Sequence, residues 1–314
     1  MEKLTQELSS CVLKLWFWVV RVLPRTLLLS LSEILADAGF YLLFKFRKNS
    51  IKNLTLALGE SLEGRKIVLI VRHSIRNFFR DIVELSLAAE ASPEKVRSEI
   101  CVLGREHLDE ALAKGKGVII LSAHLGNFFL VGPRLTMEGY PAHTLINQPR
   151  KALFSEFLDH CCSRLQQRSI PARPRRHASR ALLQVLRRNE LAVVIADEFA
   201  DEYRSGSGIS VPFFGRTVLG RRGVATLSLR AGAPVLPAYM IRDPIGRLAL
   251  VIEPEITLLR SGQINAAIRD NVIRIAQWLE AVVRRYPDQW NWTNVHWQKA
   301  PPSEFRKGSI VTNE

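Results

Sequence analysis

A histidine that directly follows an apolar run is the residue of this chain best suited to acid–base chemistry. Residues 118–123 (VIILSA) are apolar and largely branched, which predicts a buried strand, and His124 comes next. Ligands of open α/β sheets bind beyond the carboxyl ends of the strands. An imidazole there can accept a proton from an attacking hydroxyl near neutral pH. The alternative is a structural histidine at the end of a strand.

Residues that could support this histidine lie nearby in the sequence or follow a second predicted strand. Gly126 permits a tight turn, and Asn127 can cap the following helix or orient a neighbouring group. A second apolar run, residues 191–196 (LAVVIA), leads into Asp197 and Glu198. Either carboxylate could orient or polarise a histidine, as in hydrolases and transferases. The alternative is a solvated acidic turn.

Cationic residues lie between the two strand ends in the sequence. Their interpretation is open between a solvated helix face and a cradle for phosphate-bearing lipid or for an acidic carrier protein. Gly223 opens a further predicted helix, whose N-terminus could hold an anionic group. The cationic residues are Arg164, Arg168, Arg173, Arg175, Arg176, His177 and Arg180.

The elements that must position these residues alternate between strand and helix patterns. This alternation predicts an α/β fold, with one domain whose mostly parallel central sheet is flanked by helices. Residues 211–215 (VPFFG) are interpreted as a hydrophobic loop. Further strands are predicted at 142–146, 234–241 and 248–252, and helices at 53–89 with a break near Gly59–Gly64, 106–114, 151–167, 178–188, 221–231 and 264–286.

The N-terminal part of the chain is predicted to be helical and close to a membrane. Residues 11–23 and 27–44 are apolar but carry charges, and neither is a comfortable spanning helix of about 20 apolar residues. Basic residues follow them, which favours a segment that lies in, or dips into, the cytoplasmic leaflet. The alternative is a helix pair that covers the domain core. We therefore divide the chain into a membrane-associated segment (1–50), an α/β domain (51–300) and a loose tail (301–314).

Composition and missing motifs narrow the function classes. The net charge of +14 favours polyanionic partners such as anionic lipids, an acidic carrier or nucleic acid. No nucleic-acid-binding motif is visible, so nucleic acid is not expected as a partner. The 4 cysteines and 7 histidines show no metal-ligand spacing, and we expect no metal or other cofactor. A Walker loop, a G-x-G-x-x-G turn and a G-x-S-x-G elbow are also missing.

Six segments occur in a characteristic order: RKNSIKNL at 47–54, the strand with HLGN at 118–127, ADE at 196–198, VPFFG at 211–215, Gly223 with LSLRAGAPVLP at 227–237, and YPDQWNW at 286–292. Taken in order, these segments resemble the lipid A biosynthesis lauroyl/myristoyl acyltransferase family, a branch of the lysophospholipid acyltransferase-like superfamily. The resemblance covers roughly residues 15–298. It implies a glycerolipid-acyltransferase-like domain.

The resemblance implies an enzyme at the cytoplasmic face of the bacterial inner membrane. It would transfer a fatty acyl chain directly from acyl carrier protein or acyl-CoA to a glycolipid such as a lipid A precursor. By position, His124 would be the general base, and Asp197 matches an aspartate near the cleft. Arg164 matches an arginine that contacts headgroup phosphate or the carrier. The expected substrate-binding residues are Gly126, Asn127, Phe129, Arg164 and Gly223.

One position departs from the superfamily motif H-x-x-x-x-[DE], because Phe129 stands where the acid belongs. Losing a carboxylate that orients a histidine can reduce turnover by orders of magnitude while the fold stays intact. Two hypotheses follow. Either Asp197 or Glu198 supplies the missing carboxylate, or the chain is a diverged lipid-binding homologue without catalysis.

Overall fold

The computed structural model describes residues 2–149, 151–200, 208–260 and 262–298. The tail predicted at 301–314 lies outside these residues. The strands are β1 Cys101–Leu103, β2 Val118–Ser122, β3 Ala142–Ile146, β4 Arg168–Pro171, β5 Leu191–Ile195, β6 Gly208–Phe213, β7 Arg216–Arg221, β8 Val235–Arg242 and β9 Leu248–Ile252. The helices are α1 Glu2–Val22, α2 Arg25–Leu42, α3 Phe44–Leu58, α4 Gly64–Glu90, α5 Pro93–Glu99, α6 Arg105–Leu112, α7 Val131–Met137, α8 Ala152–Arg164, α9 Arg175–Arg187, α10 Gly223–Ala231 and α11 Ile264–Arg285.

A seven-stranded sheet in the order β1-β9-β8-β2-β5-β3-β4 forms the centre of the protein. All neighbouring pairs are parallel except β8 and β9. From β2 the chain continues to β3 and β4 on one side, and after β5 it reaches β8 on the other side. The carboxyl ends of β2 and β5 therefore lie where the strand order reverses, the usual place for a ligand cleft. The predicted α/β fold with a mostly parallel sheet is confirmed.

Helices cover both faces of the sheet, and α4 contributes to both. In β2, Ile119 and Leu121 face one core, and Val118 and Ile120 face the other. The first half of α4 packs into the core of Ile119, and its second half packs into the core of Ile120. This helix therefore passes from one face of the sheet to the other at the carboxyl ends of the strands, close to the loop that follows β2.

The predicted loop at 211–215 is wrong. Residues 208–213 form β6, which pairs with β7 as an antiparallel hairpin apart from the main sheet. Val211 and Phe213 are buried, an alternation typical of a strand with one face on the core. Phe214 and Gly215 both adopt positive φ, as a two-residue hairpin turn requires. β1 and β4 were not predicted either, because both are short.

The N-terminal residues form three helices that pack on the rest of the protein. Asp37 of α2 pairs with Arg72 and Arg76 of α4 at 2.8 and 2.5 Å, which fixes α2 against α4. The boundary predicted between residues 50 and 51 falls inside α3. Within the described residues, no single helix has the length and apolar character to cross a membrane. α2 and α3 taken together have the length and apolar composition of a span, but the chain bends by 85° between them.

A buried ion cluster joins α4 to the end of β8. The Arg242 guanidinium donates to Asp81 Oδ1 at 2.6 Å and to both Glu84 oxygens at 2.6 and 2.8 Å. Burial raises the pKa of Asp81 to about 7, against the opposing effect of the Arg242 charge. Removing one partner of a buried ion pair leaves an uncompensated charge, which is strongly destabilising.

We therefore expect Arg242→Met to lower the free energy of unfolding by about 3–5 kcal/mol, because Asp81 loses its buried partner and Glu84 keeps only Arg80, at 3.2 Å. Arg247→Met is the matched control, since the Arg247 side chain is 74% exposed and its pair with Asp243 lies at the surface. Arg247→Met should lower the free energy of unfolding by less than about 1 kcal/mol. Denaturant unfolding in detergent measures both values. Equal losses in the two variants would contradict a structural role for the cluster.

Candidate active site

The register of two strands brings His124 and Asp197 together. Ser122 of β2 pairs with Ile195 of β5, so the residues two positions further on also face each other. His124 Nδ1 lies 2.8 Å from Asp197 Oδ1, and the His124 backbone N–H donates to Asp197 Oδ2 at 2.8 Å. The carboxylate thus holds both the ring and the backbone of the histidine.

The electrostatics of this pair favour an ionised carboxylate beside a basic imidazole. Burial by itself lowers the pKa of His124, but the Asp197 charge and hydrogen bond, with a smaller effect of Glu198, outweigh it and raise that pKa above its ordinary value. Burial raises the pKa of Asp197, and the His124 charge with hydrogen bonds from His124 and Trp290 reverses the direction. The net lowering keeps Asp197 ionised.

A small cleft that is open to solvent lies beside the imidazole. The ionised Asp197 selects the His124 tautomer protonated at Nδ1, which leaves the Nε2 lone pair free for the cleft. The His124 side chain is 21% exposed, whereas Asp197 is buried. This arrangement can accept a proton from a hydroxyl bound in the cleft. Aromatic rings and polar groups both line it, among them Phe46, Ser74, Phe78, Asp81, Phe128 and Gln289.

Gly126 and Asn127 shape the loop that carries the histidine. Gly126 has a φ of +52°, and a Cβ there would lie 1.9 Å from the Met240 carbonyl oxygen, so no larger residue fits. Asn127 makes no capping hydrogen bond to the short 3-10 turn that follows, so the capping interpretation is wrong. Its amide instead donates to the Asp81 carbonyl at 3.2 Å and contacts Glu84 at 3.4 Å. It therefore ties the loop to α4.

The aromatic and acidic neighbours of His124 separate into those that reach it and those that do not. Phe128 packs edge-on against the imidazole, with ring centroids 4.7 Å apart. The Phe129 ring packs on Phe128 and Phe154 rather than on the imidazole. Glu198 is partly exposed and lies 3.9 Å from the Arg221 guanidinium, with no hydrogen bond to His124. Of the two candidate carboxylates, Asp197 is the one in contact with the histidine.

Two predicted substrate-binding residues lie elsewhere. Arg164 ends α8, where it donates to the Ala89 carbonyl at 3.2 Å and lies 3.8 Å from Glu90. Glu90 is nine residues beyond Asp81 on α4, about 13 Å along the helix axis. Gly223 is exposed at the first turn of α10 and does not line the cleft. The geometry does not place either residue beside His124.

Sequence reasoning missed Trp290, which also contacts Asp197. Its indole N–H donates to Asp197 Oδ2 at 2.8 Å, and the side chain is 1% exposed. The only sequence signal was its place in the segment YPDQWNW, and nothing in that pattern indicates which distant carboxylate the indole meets.

The fold and this site define an α/β protein with a histidine–carboxylate pair at the carboxyl ends of adjacent parallel strands. The family model of bacterial lipid A biosynthesis acyltransferases matches residues 3–299. The chain belongs to this family, and membership supports acyl transfer to a glycolipid as its activity.

Individual relatives are similar over most of the chain. The lipid A biosynthesis palmitoleoyltransferase of Escherichia coli K12 is 25% identical over 297 residues, 92% of this chain and 90% of that protein. A phosphatidylinositol mannoside acyltransferase of Mycobacterium tuberculosis is 27% identical over 209 residues, 66% of this chain and 62% of that protein. The solved 1-acyl-sn-glycerophosphate acyltransferase of Thermotoga maritima is 16% identical, with a TM-score of 0.33, and the match covers 82% of this chain and 98% of that one.

The site makes a prediction about Asp197→Asn. Without the carboxylate charge, burial dominates, so the pKa of His124 should fall below its ordinary value. A histidine NMR titration of the full chain in detergent measures this pKa. Glu198→Gln is the control and should lower it less, because Glu198 acts only through its charge. An unchanged titration in Asp197→Asn would contradict the pairing.

Proposed function

We propose that this chain transfers a fatty acyl group from an acyl carrier protein or acyl-CoA thioester to a hydroxyl of a membrane glycolipid such as a lipid A precursor. The observation that carries the proposal is the His124–Asp197 pair beside a cleft, in a chain of this acyltransferase family. His124 is the general base, and Asp197 orients it and stabilises its imidazolium.

The proposed reaction depends on the orientation of the imidazole, whose Nδ1 faces Asp197 and whose Nε2 faces the cleft. The acceptor hydroxyl lies at His124 Nε2, which removes its proton as the oxygen attacks the thioester carbonyl. The tetrahedral intermediate collapses with cleavage of the C–S bond. The His124 imidazolium returns the proton to the departing sulfur, giving an ester and a thiol. One proton is taken and one returned, so no covalent acyl-enzyme and no cofactor are needed.

The replacement of the motif acid by Phe129 bears on this mechanism. In the superfamily the acid orients the histidine, and here Asp197 already bonds Nδ1 from the neighbouring strand end. Phe129 lies outside that contact. The retained pair favours an active transferase over the second candidate, a diverged lipid-binding homologue, which is favoured only by the altered motif.

Exposed cations support an anionic donor or acceptor. Residues 172–180, which form the segment before α9 and its first turns, follow the carboxyl end of β4, so this stretch begins at the same end of the sheet as His124. No carboxylate within the described residues pairs with its exposed arginines, and an acidic carrier or a phosphate-bearing lipid would complement them. These arginines are Arg173, Arg175, Arg176 and Arg180.

The location we propose is the cytoplasmic face of the bacterial inner membrane. α2 buries one face, yet its opposite face exposes apolar residues at helical spacing, as does α1. Large exposed apolar surfaces mark contact with partners or lipid, and exposed lysines on α3 suit anionic headgroups. The exposed apolar residues are Val12, Leu15, Trp18 and Val22 on α1, and Leu27, Leu31, Ile34, Leu35, Tyr41 and Leu42 on α2.

An acyl-transfer assay tests the proposed chemistry. It uses the full chain in detergent micelles, labelled acyl–acyl carrier protein or acyl-CoA, and a lipid A precursor. We expect transfer by the wild type, and a loss of at least about 1,000-fold in His124→Ala and Asp197→Asn, as for other histidine–carboxylate sites. Glu198→Gln is the matched control and should retain most of the activity.

Phe129→Glu separates the two candidate functions. If the wild type is inert and Phe129→Glu is active, the chain is a diverged homologue and the proposal is wrong. Activity of His124→Ala equal to that of the wild type would likewise contradict the assigned base.

Vesicle flotation tests the membrane location. Ile34 and Leu35 are 64% and 57% exposed, so Ile34→Asp with Leu35→Asp should weaken binding to anionic phospholipid vesicles without disturbing the fold. Ile245→Asp with Ile264→Asp is the matched control, with 74% and 69% exposure outside α1 and α2. Equal binding by both double variants would contradict the proposed surface.

A further inference from the structure

A short segment after α11 runs alongside the loop that carries His124. Gly126 N–H donates to the Gln289 carbonyl at 2.8 Å, and Asn291 N–H donates to the His124 carbonyl at 3.1 Å. Leu125 and Trp290 form an antiparallel bridge between them. The segment Gln289–Asn291 therefore fixes the backbone on both sides of the histidine, although it lies more than 160 residues away in the sequence.

Trp290, in the same segment, contacts Asp197, the other member of the histidine–carboxylate pair. Its indole N–H donates to Asp197 Oδ2, the oxygen that also accepts the His124 backbone N–H, while Oδ1 faces the imidazole. The indole cannot easily turn away. It is fully buried against Phe213 and Trp292, with ring centroids 6.0 and 4.8 Å away.

We propose that Trp290 is a positioning residue, which holds the Asp197 carboxylate in register with His124 and limits how strongly that carboxylate retains the imidazole proton. This role rests on the proposed function of His124 as the base. Trp290 borders the cleft, but its one polar side-chain group, the indole N–H, donates to Asp197 and is not available to a substrate.

The physical basis is the sharing of one negative charge. A donor on Oδ2 stabilises the carboxylate and lowers the pKa of Asp197. Without that donor, Oδ2 keeps only the backbone N–H of His124, and more of the charge acts on the imidazolium. His124 would then stay protonated to higher pH, and the fraction of base at neutral pH would fall.

Other charges near His124 come from three further positions. Glu198 follows Asp197 in the same loop, and its charge raises the pKa of His124. Asp81 of α4 lines the same cleft and is paired with Arg242 at the end of β8. None of these groups contacts the Trp290 indole N–H, so its removal leaves them in place.

The test compares Trp290→Phe with Trp292→Phe in the full chain. Trp292 is a matched control, because it is equally buried in the same aromatic cluster but donates its indole N–H to the Pro287 carbonyl. In Trp290→Phe, the acid limb of kcat/KM should move up by about one pH unit. Activity should then fall most, by up to about tenfold, at pH values below the limb, and recover at higher pH. Trp292→Phe should keep the wild-type profile shape, with any loss uniform across pH.

A second readout needs neither catalysis nor a folded variant. In the wild type, the Trp290 indole N–H resonance should titrate with the same midpoint as the His124 ring, whereas that of Trp292 should not. This measurement still tests the coupling of Trp290 to the His124–Asp197 pair if no acyl transfer is found and the proposed function fails. The inference would be overturned if the Trp290 indole N–H shift did not change as His124 titrates. It would also be overturned if the pH profile of kcat/KM in Trp290→Phe had the same midpoint as that of the wild type.

Discussion

The parallel pairing of β2 with β5 is the constraint on which the site depends. Their ladder brings His124 opposite Asp197, since each residue lies two positions beyond paired strand ends. A one-residue slip would turn every side chain of the strand to the opposite face of the sheet. Both strands are buried on both faces, so close packing of their side chains in the two cores, rather than a solvated face, holds the register.

Around that pairing, distant segments close the site from two directions. α4 supplies Asp81 and Glu84, which meet Arg242 at the end of β8 and receive the Asn127 amide. The segment after α11 supplies Gln289, whose side chain bonds both the N–H and the carbonyl of Arg242 at 2.8 Å. The loop at His124 is thus held by a helix from the first third of the chain and by a segment near its end.

Local patterns were sufficient to predict the sheet and the histidine but insufficient to identify its supports. Apolar runs of five or six residues, each ended by a polar residue, located β2 and β5 and so His124 and Asp197. They could not choose between Asp197 and Glu198, because adjacent residues of a loop can point either way. Charge and helix position indicate nothing about distance to the cleft, so the separation of Arg164 and Gly223 from His124 could not be predicted. The contacts of Trp290, Asp81 and Arg242 join residues separated by 93 to 161 positions, so only the packed fold reveals them.

The ion cluster beneath the cleft also has an evolutionary consequence. Replacing one member of a buried cluster of an arginine and two carboxylates lowers the stability of the protein strongly. A set of well-packed apolar residues can often replace the whole cluster without loss of stability. Intermediate sequences with an unpaired charge would be the least stable. Natural selection is therefore expected to exchange Asp81, Glu84 and Arg242 as a unit, so that related chains carry either all three charges or an apolar set in their place.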